Sequence, residues 1–117
     1  MKITYRLTTI YRSSSEDLMT SQNCDTLDEV YDHIKIDKCA NGHSIHKITT
    51  VKNNETSIAY YRGYAIFVFN GIDARFIFDM TDDIPIFIGR CRFNPPAYAF
   101  IDAHREYGIK NFDLLTY

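Results

Sequence analysis

The chain has no tryptophan and only three cysteines, three prolines and five glycines among 117 residues, and each shortage removes a class of protein. Glycine and proline are too scarce for a collagen-like or low-complexity chain. The cysteines, Cys24, Cys39 and Cys91, are odd in number and widely spaced, which makes a poor disulfide framework and suits reduced thiols. No apolar run approaches the roughly 18 residues of a membrane span. The opening residues, MKITYRLTTIYR, alternate where a secretory signal is continuously apolar. A cytoplasmic protein without a membrane partner is expected. Basic residues form no cluster, and 13 Lys+Arg against 15 Asp+Glu give a formal charge of −2, so nucleic acid is not the expected partner.

What is present is ordinary globular material, 45% hydrophobic and 24% charged, at a length that fits one domain over residues 1–117. Residues 2–12 alternate as a strand, with Ile3, Tyr5, Leu7, Thr9 and Tyr11 on one side. The polar stretch 13–25 reads as a loop. Thr26-Leu27-Asp28-Glu29 has the capping-box pattern and predicts a helix over about 26–38, with Leu27, Val30, Tyr31 and Ile34 inward, Asp28, Asp32 and Asp37 outward, and Asn41-Gly42 as its stop. The period then changes to two, predicting strands near 45–51, 58–62, 64–69, 72–78 and 84–88. Asn70-Gly71 predicts a two-residue hairpin turn. That turn places Phe69 opposite Ile72, Phe67 opposite Ala74 and Ala65 opposite Phe76 on a wholly apolar face. The other face then pairs Val68 with Asp73, Ile66 with Arg75 and Tyr64 with Ile77. Asn94-Pro95 and Gly108 bracket a second helix over about 95–107, its packing arc formed by Ala97, Phe100, Ala103, His104 and Tyr107. The segment 109–117 offers a short last strand or a cover for the core.

The expected fold is therefore α+β, a single mostly antiparallel sheet of five or six strands in the order β-α-β-β-β-β-β-α. Both helices are expected on one face, the all-phenylalanine face, which makes that face the core.

Chemistry-bearing patterns are sparse. Cys39, His43 and His46, with Cys24 or an Asp as a fourth ligand, lack the paired ligand sets of a structural zinc site. Asp79, Asp82 and Asp83 lack the spacing and glycine of a calcium loop. Cys91 stands between Arg90 and Arg92, but on a strand its side chain points away from both and reads as a small core residue. Phosphate-loop, dinucleotide and nucleophile-elbow motifs are absent, so no cofactor is expected. A metal-independent ribonuclease built from His104, Arg105, Arg90 and Arg92 is the enzymatic alternative. The leading expectation is a non-enzymatic protein-binding module, an inhibitor or immunity-type protein of the kind phages deploy against host defence. Its expected contacts are the acidic helix face (Asp28, Glu29, Asp32), which suits a basic partner, and the mixed sheet face (Tyr64, Ile66, Val68, Asp73, Arg75). A homodimer through that mixed face is the third alternative.

Overall fold

The computed structural model describes residues 1–13 and 16–108; the segment proposed as a last strand or core cover lies outside them. Nine elements follow one another: β1 (Lys2–Arg12), β2 (Asp17–Cys24), α1 (Leu27–Ile36), β3 (Gly42–Lys52), β4 (Thr56–Tyr61), β5 (Tyr64–Phe69), β6 (Arg75–Asp79), β7 (Ile86–Cys91) and α2 (Asn94–Tyr107). The fold is α+β, with seven strands in one sheet in the order β2-β1-β3-β4-β5-β6-β7. The chain divides into two compact units, Lys2–Ile48 and the residues from Thr49 onward.

In the first unit the expected loop 13–25 is instead mostly strand. β2 pairs antiparallel with β1 from Tyr5↔Cys24 to Arg12↔Asp17. Its residues, DLMTSQNC, are mostly polar and exposed except for Cys24, and Leu18 and Met19 fall on opposite faces, so no apolar alternation marks it. The pairing follows from β1, whose alternation offers a regular ladder. α1 begins as the capping box requires: the Glu29 amide donates to Thr26 Oγ1 at 3.2 Å, and Glu29 Oε2 accepts from the Asp25 amide at 3.2 Å. The core here is small, Leu7, Cys24 and Val30, with Tyr5, Ile34 and Ile45 packed against it. Burying Val30 contributes about 1.5–3 kcal/mol. Of the expected inward stripe, Leu27 and Tyr31 are exposed. Asp37, expected in water, caps the C-terminus and accepts a hydrogen bond from Tyr11 Oη. Asn41 ties to β1 rather than stopping the helix: its amide donates to the Ile10 carbonyl, and its side chain accepts from the Arg12 amide.

In the second unit the tightest turn is Arg62-Gly63, between the directly paired Tyr61 and Tyr64. Both turn residues have positive φ, 52° and 82°, the type I′ geometry. A non-glycine residue there is strained, and Arg62 is held by ion pairs from α2: Nη1 lies 2.8 Å from Asp102 Oδ1, and Nη2 pairs with Glu106. A Cβ on Gly63 would meet Thr81 Cγ2 at 2.9 Å, so the second turn position needs glycine for space as well as for φ. Arg62→Ala is expected to cost about 2 kcal/mol, because it leaves the half-buried Asp102 without its cation; urea denaturation measures it.

Asn70-Gly71 does not close a two-residue hairpin. Residues 70–74 form a longer connection, and the register becomes Val68↔Arg75, Phe67↔Phe76, Ile66↔Ile77, Ala65↔Phe78 and Tyr64↔Asp79. The slip is two residues, so every side chain within β5 and β6 keeps its expected face while its partner changes, and Ile72, Asp73 and Ala74 leave the sheet. β7 runs through Gly89, where its register on β6 shifts between Ile77 and Phe78.

α2 covers the face opposite to the one expected. Tyr64 Oη and His104 Nδ1 share a 2.7 Å hydrogen bond, Tyr61 Oη donates to Asp102 Oδ1 at 2.7 Å, and the Tyr61 and Tyr98 rings meet edge to face. Ile66 and Ile77, paired on that same face, are 1% and 0% exposed. The buried arc of α2 is Ala97, Tyr98, Phe100 and Ile101, so Tyr98 and Asp102 turn inward and Tyr107 stands exposed. The helix ends at Gly108, whose left-handed φ of 65° lets its amide reach the His104 carbonyl at 3.0 Å. It starts one residue earlier than expected, with Phe93 at the cap and Asn94 inside the first turn.

Candidate functional site

Turning α2 onto the Tyr64–Ile66 face leaves the phenylalanine face of β5, β6 and β7 to solvent within this unit. The register puts Phe67 and Phe69 of β5, Phe76 and Phe78 of β6, and Phe87 of β7 on that side. Their rings form a closed circuit of contacts. Phe69 meets Phe67 at a centroid distance of 6.1 Å, Phe67 meets Phe78 at 5.2 Å, Phe78 meets Phe87 at 5.5 Å, Phe87 meets Phe76 at 6.5 Å, and Phe76 returns to Phe69 at 5.7 Å. Most of these are edge-to-face or tilted, the arrangement favoured by the ring quadrupole. The circuit is not a closed core: Phe87 is 52% exposed and Phe69 36% exposed. β4 widens the surface with Thr56, Ile58 and the exposed Tyr60, opposite Phe69, Phe67 and Ala65. Arg90, paired with Phe76 and exposed, puts a cation on the same face. A contiguous aromatic surface with one basic residue has the composition of a protein contact, where aromatic residues and arginine are enriched.

The residues read as contacts from sequence are distributed differently. Tyr64 and Ile66 are buried beneath α2, so neither offers the exposed contact expected of it. Val68 is half-buried on that face opposite Arg75. Arg75 does structural work at the start of α2: its Nε donates to Asn94 Oδ1 at 2.9 Å and its Nη1 to the Arg92 carbonyl at 2.6 Å. Asp73 lies in the β5–β6 connection, exposed and outside any strand. On α1, Asp28, Glu29 and Asp32 are all exposed. Glu29 is engaged in the capping box, which leaves Asp28 and Asp32 as the open acids, beside the exposed Tyr31.

The ribonuclease parts separate. His104 lies on the α2 side of the sheet, while Arg90 opens onto the phenylalanine face. Around His104 the polar groups are coupled. Burial raises the Tyr64 hydroxyl above its ordinary pKa and the Asp79 charge adds to this, against smaller opposing effects of Arg105 and Arg62. Burial also pushes Asp79 upward, but hydrogen bonds from the Thr81 hydroxyl and amide and the charges of His104 and Arg105 outweigh it, holding the carboxyl below its ordinary range. Tyr64 thus stays neutral and Asp79 charged at neutral pH, an arrangement that fixes the end of α2 on the sheet.

Cys91 is buried on the α2 face, where burial raises its thiol, and its Sγ donates to the Phe93 carbonyl. Cys24 belongs to the first unit's core and Cys39 is exposed. His43 Nδ1 shares a hydrogen bond with Thr9 Oγ1 at 3.2 Å, and His46 lies within β3. Among the described residues no three metal-ligating side chains converge, and no helix is long and apolar enough to cross a membrane.

Sequence reasoning did not single out Phe87, because its run, Ile84 to Ile88, is apolar on both sides. Alternation would put Arg90, three residues on, opposite Phe87, and only the register irregularity before Gly89 brings the two to one face. Comparison with family models, curated proteins and solved structures finds no match to this chain.

Proposed function

We propose that the chain is a small protein-binding module that acts by occupying a partner's surface, in the manner of an inhibitor or immunity-type protein. The observation that carries this reading is the phenylalanine circuit. Five mutually packed rings, with Phe87 half exposed, form an apolar face larger than scattered surface hydrophobics account for. The rings brace one another, so little side-chain entropy remains to be lost on binding. The complement is a protein with an apolar patch and an acidic residue where Arg90 lies. Asp28 and Asp32 on α1 add longer-range attraction for basic residues elsewhere on the partner, which acts on association rate more than on final affinity.

The experiment is capture from the native host's lysate by the wild-type chain and by Phe87→Asp, followed by mass spectrometry. A stoichiometric protein retained by the wild type and lost with Phe87→Asp supports the proposal. Equal retention by both chains moves the contact elsewhere. With that partner purified, Asp28→Asn/Asp32→Asn is expected to slow association severalfold at low salt, with the difference vanishing at high salt; stopped-flow kinetics read it out.

A further inference from the structure

The two ends of the sheet differ in what they permit to be added. β7 carries the devices by which proteins blunt an edge: Pro85 directly before the strand, a register irregularity, and Arg90 within it. β2 carries none of them. Its eight residues run in unbroken register along β1, hold no proline, glycine or lysine, and are exposed except for Cys24. Among the described residues nothing pairs with its outer edge. A row of outward N–H and C=O groups is complementary to one thing, another extended strand.

We infer that β2 pairs antiparallel with β2 of a second copy of this chain, about a two-fold axis at Thr20, joining two sheets edge to edge. The register follows from strand geometry. Only alternate residues turn their backbone groups outward, so paired residues are separated by even steps and the axis passes through a residue rather than between two. Centring on Thr20 uses 17–23 in full and leaves the buried Cys24 undisturbed. Thr20 then meets Thr20 of the second copy, Met19 meets Ser21, Leu18 meets Gln22 and Asp17 meets Asn23. Threonine opposite threonine is a favourable cross-strand pair. The strand's single charge, Asp17, falls opposite an amide, so no like charges meet, and the exposed Leu18 and Met19 lose water contact. Such a contact is isologous and closes at two copies, the commonest oligomer. It uses none of the residues of the phenylalanine face.

Sedimentation velocity across a wide range of concentrations tests it on three chains. The wild type is expected to pass from monomer to dimer as concentration rises, and Phe87→Asp to do the same. Thr20→Lys, which sets two ammonium groups face to face at an exposed position, is expected to weaken the dimer about tenfold or more while keeping the wild-type circular dichroism. Hydrogen exchange of the β2 amides should slow with concentration in the wild type and in Phe87→Asp, and not in Thr20→Lys. A wild type that stays monomeric throughout overturns the inference, as does a Thr20→Lys chain that dimerises like the wild type. Loss of self-association in Phe87→Asp alone would assign it to the phenylalanine face and overturn it equally.

Discussion

Replacing Ile66 with aspartate is expected to unfold the unit that begins at Thr49, at a cost of about 4 kcal/mol or more. Ile66 is 1% exposed, lies directly opposite the fully buried Ile77 and sits on the face that α2 covers. A carboxylate there has no cation on the same stretch of sheet, since the Arg75 guanidinium is committed to Asn94 and the Arg92 carbonyl. Protonation relieves the charge but leaves an unsatisfied polar group and lost packing. Small domains are stable by about 5–15 kcal/mol in total, so this one substitution removes a large fraction. Urea denaturation followed by circular dichroism is the measurement, with Ile66→Val as the control, expected to cost about 1 kcal/mol. An Ile66→Asp chain as stable as the wild type would contradict the placement of α2.

Phe87→Asp is expected to behave in the opposite way, cutting partner affinity about thirtyfold or more with roughly 1 kcal/mol or less lost in stability. The Phe87 ring touches Phe76 and Phe78 along one side and faces solvent on the other, so truncation opens no cavity. In a complex the same position becomes the middle of an apolar patch. An aspartate there is desolvated without a donor and also removes the aromatic anchor. Calorimetric titration against the captured partner gives the first number, and urea denaturation the second. Losses of similar size in both would mean that Phe87 supports the fold rather than the contact.

The contrast between these two residues shows where sequence reading succeeds and where it stops. Alternation assigned Ile66 and its neighbours Phe67 and Phe76 to opposite faces correctly, and the two-residue slip in the β5–β6 register did not disturb this, because a strand's period is two; Phe87, in a run apolar on both sides, received no face from the sequence. The capping box at Thr26 and the glycine stop at Gly108 were legible for the same reason, being local. Which face α2 covers was not local. A face of five phenylalanines outranks one of tyrosines, isoleucines, aspartate and arginine on hydrophobicity alone. The choice falls the other way because the polar atoms of the second face find partners on the helix: Tyr64 with His104, Tyr61 with Asp102, Arg75 with Asn94. Burial of satisfied polar groups carries little penalty, and their partners lie roughly 20–40 residues away in sequence, where no pattern reaches. Arg62 escaped notice similarly, as a non-glycine residue at positive φ in a tight turn, with its side chain paired to Asp102 and Glu106. β2 escaped because a polar edge strand has no apolar face to alternate.

Which face of the sheet α2 covers decides whether the phenylalanine surface is open, and a soluble paramagnetic probe tests it without any partner. In a methyl- and ring-resolved NMR spectrum of the wild-type chain, a neutral nitroxide should broaden the ring resonances of Phe87 and Phe69 strongly and leave the Ile66 and Ile77 methyls sharp. Sharp Phe87 and Phe69 rings beside broadened Ile66 and Ile77 methyls would place α2 on the phenylalanine face and remove the proposed contact surface.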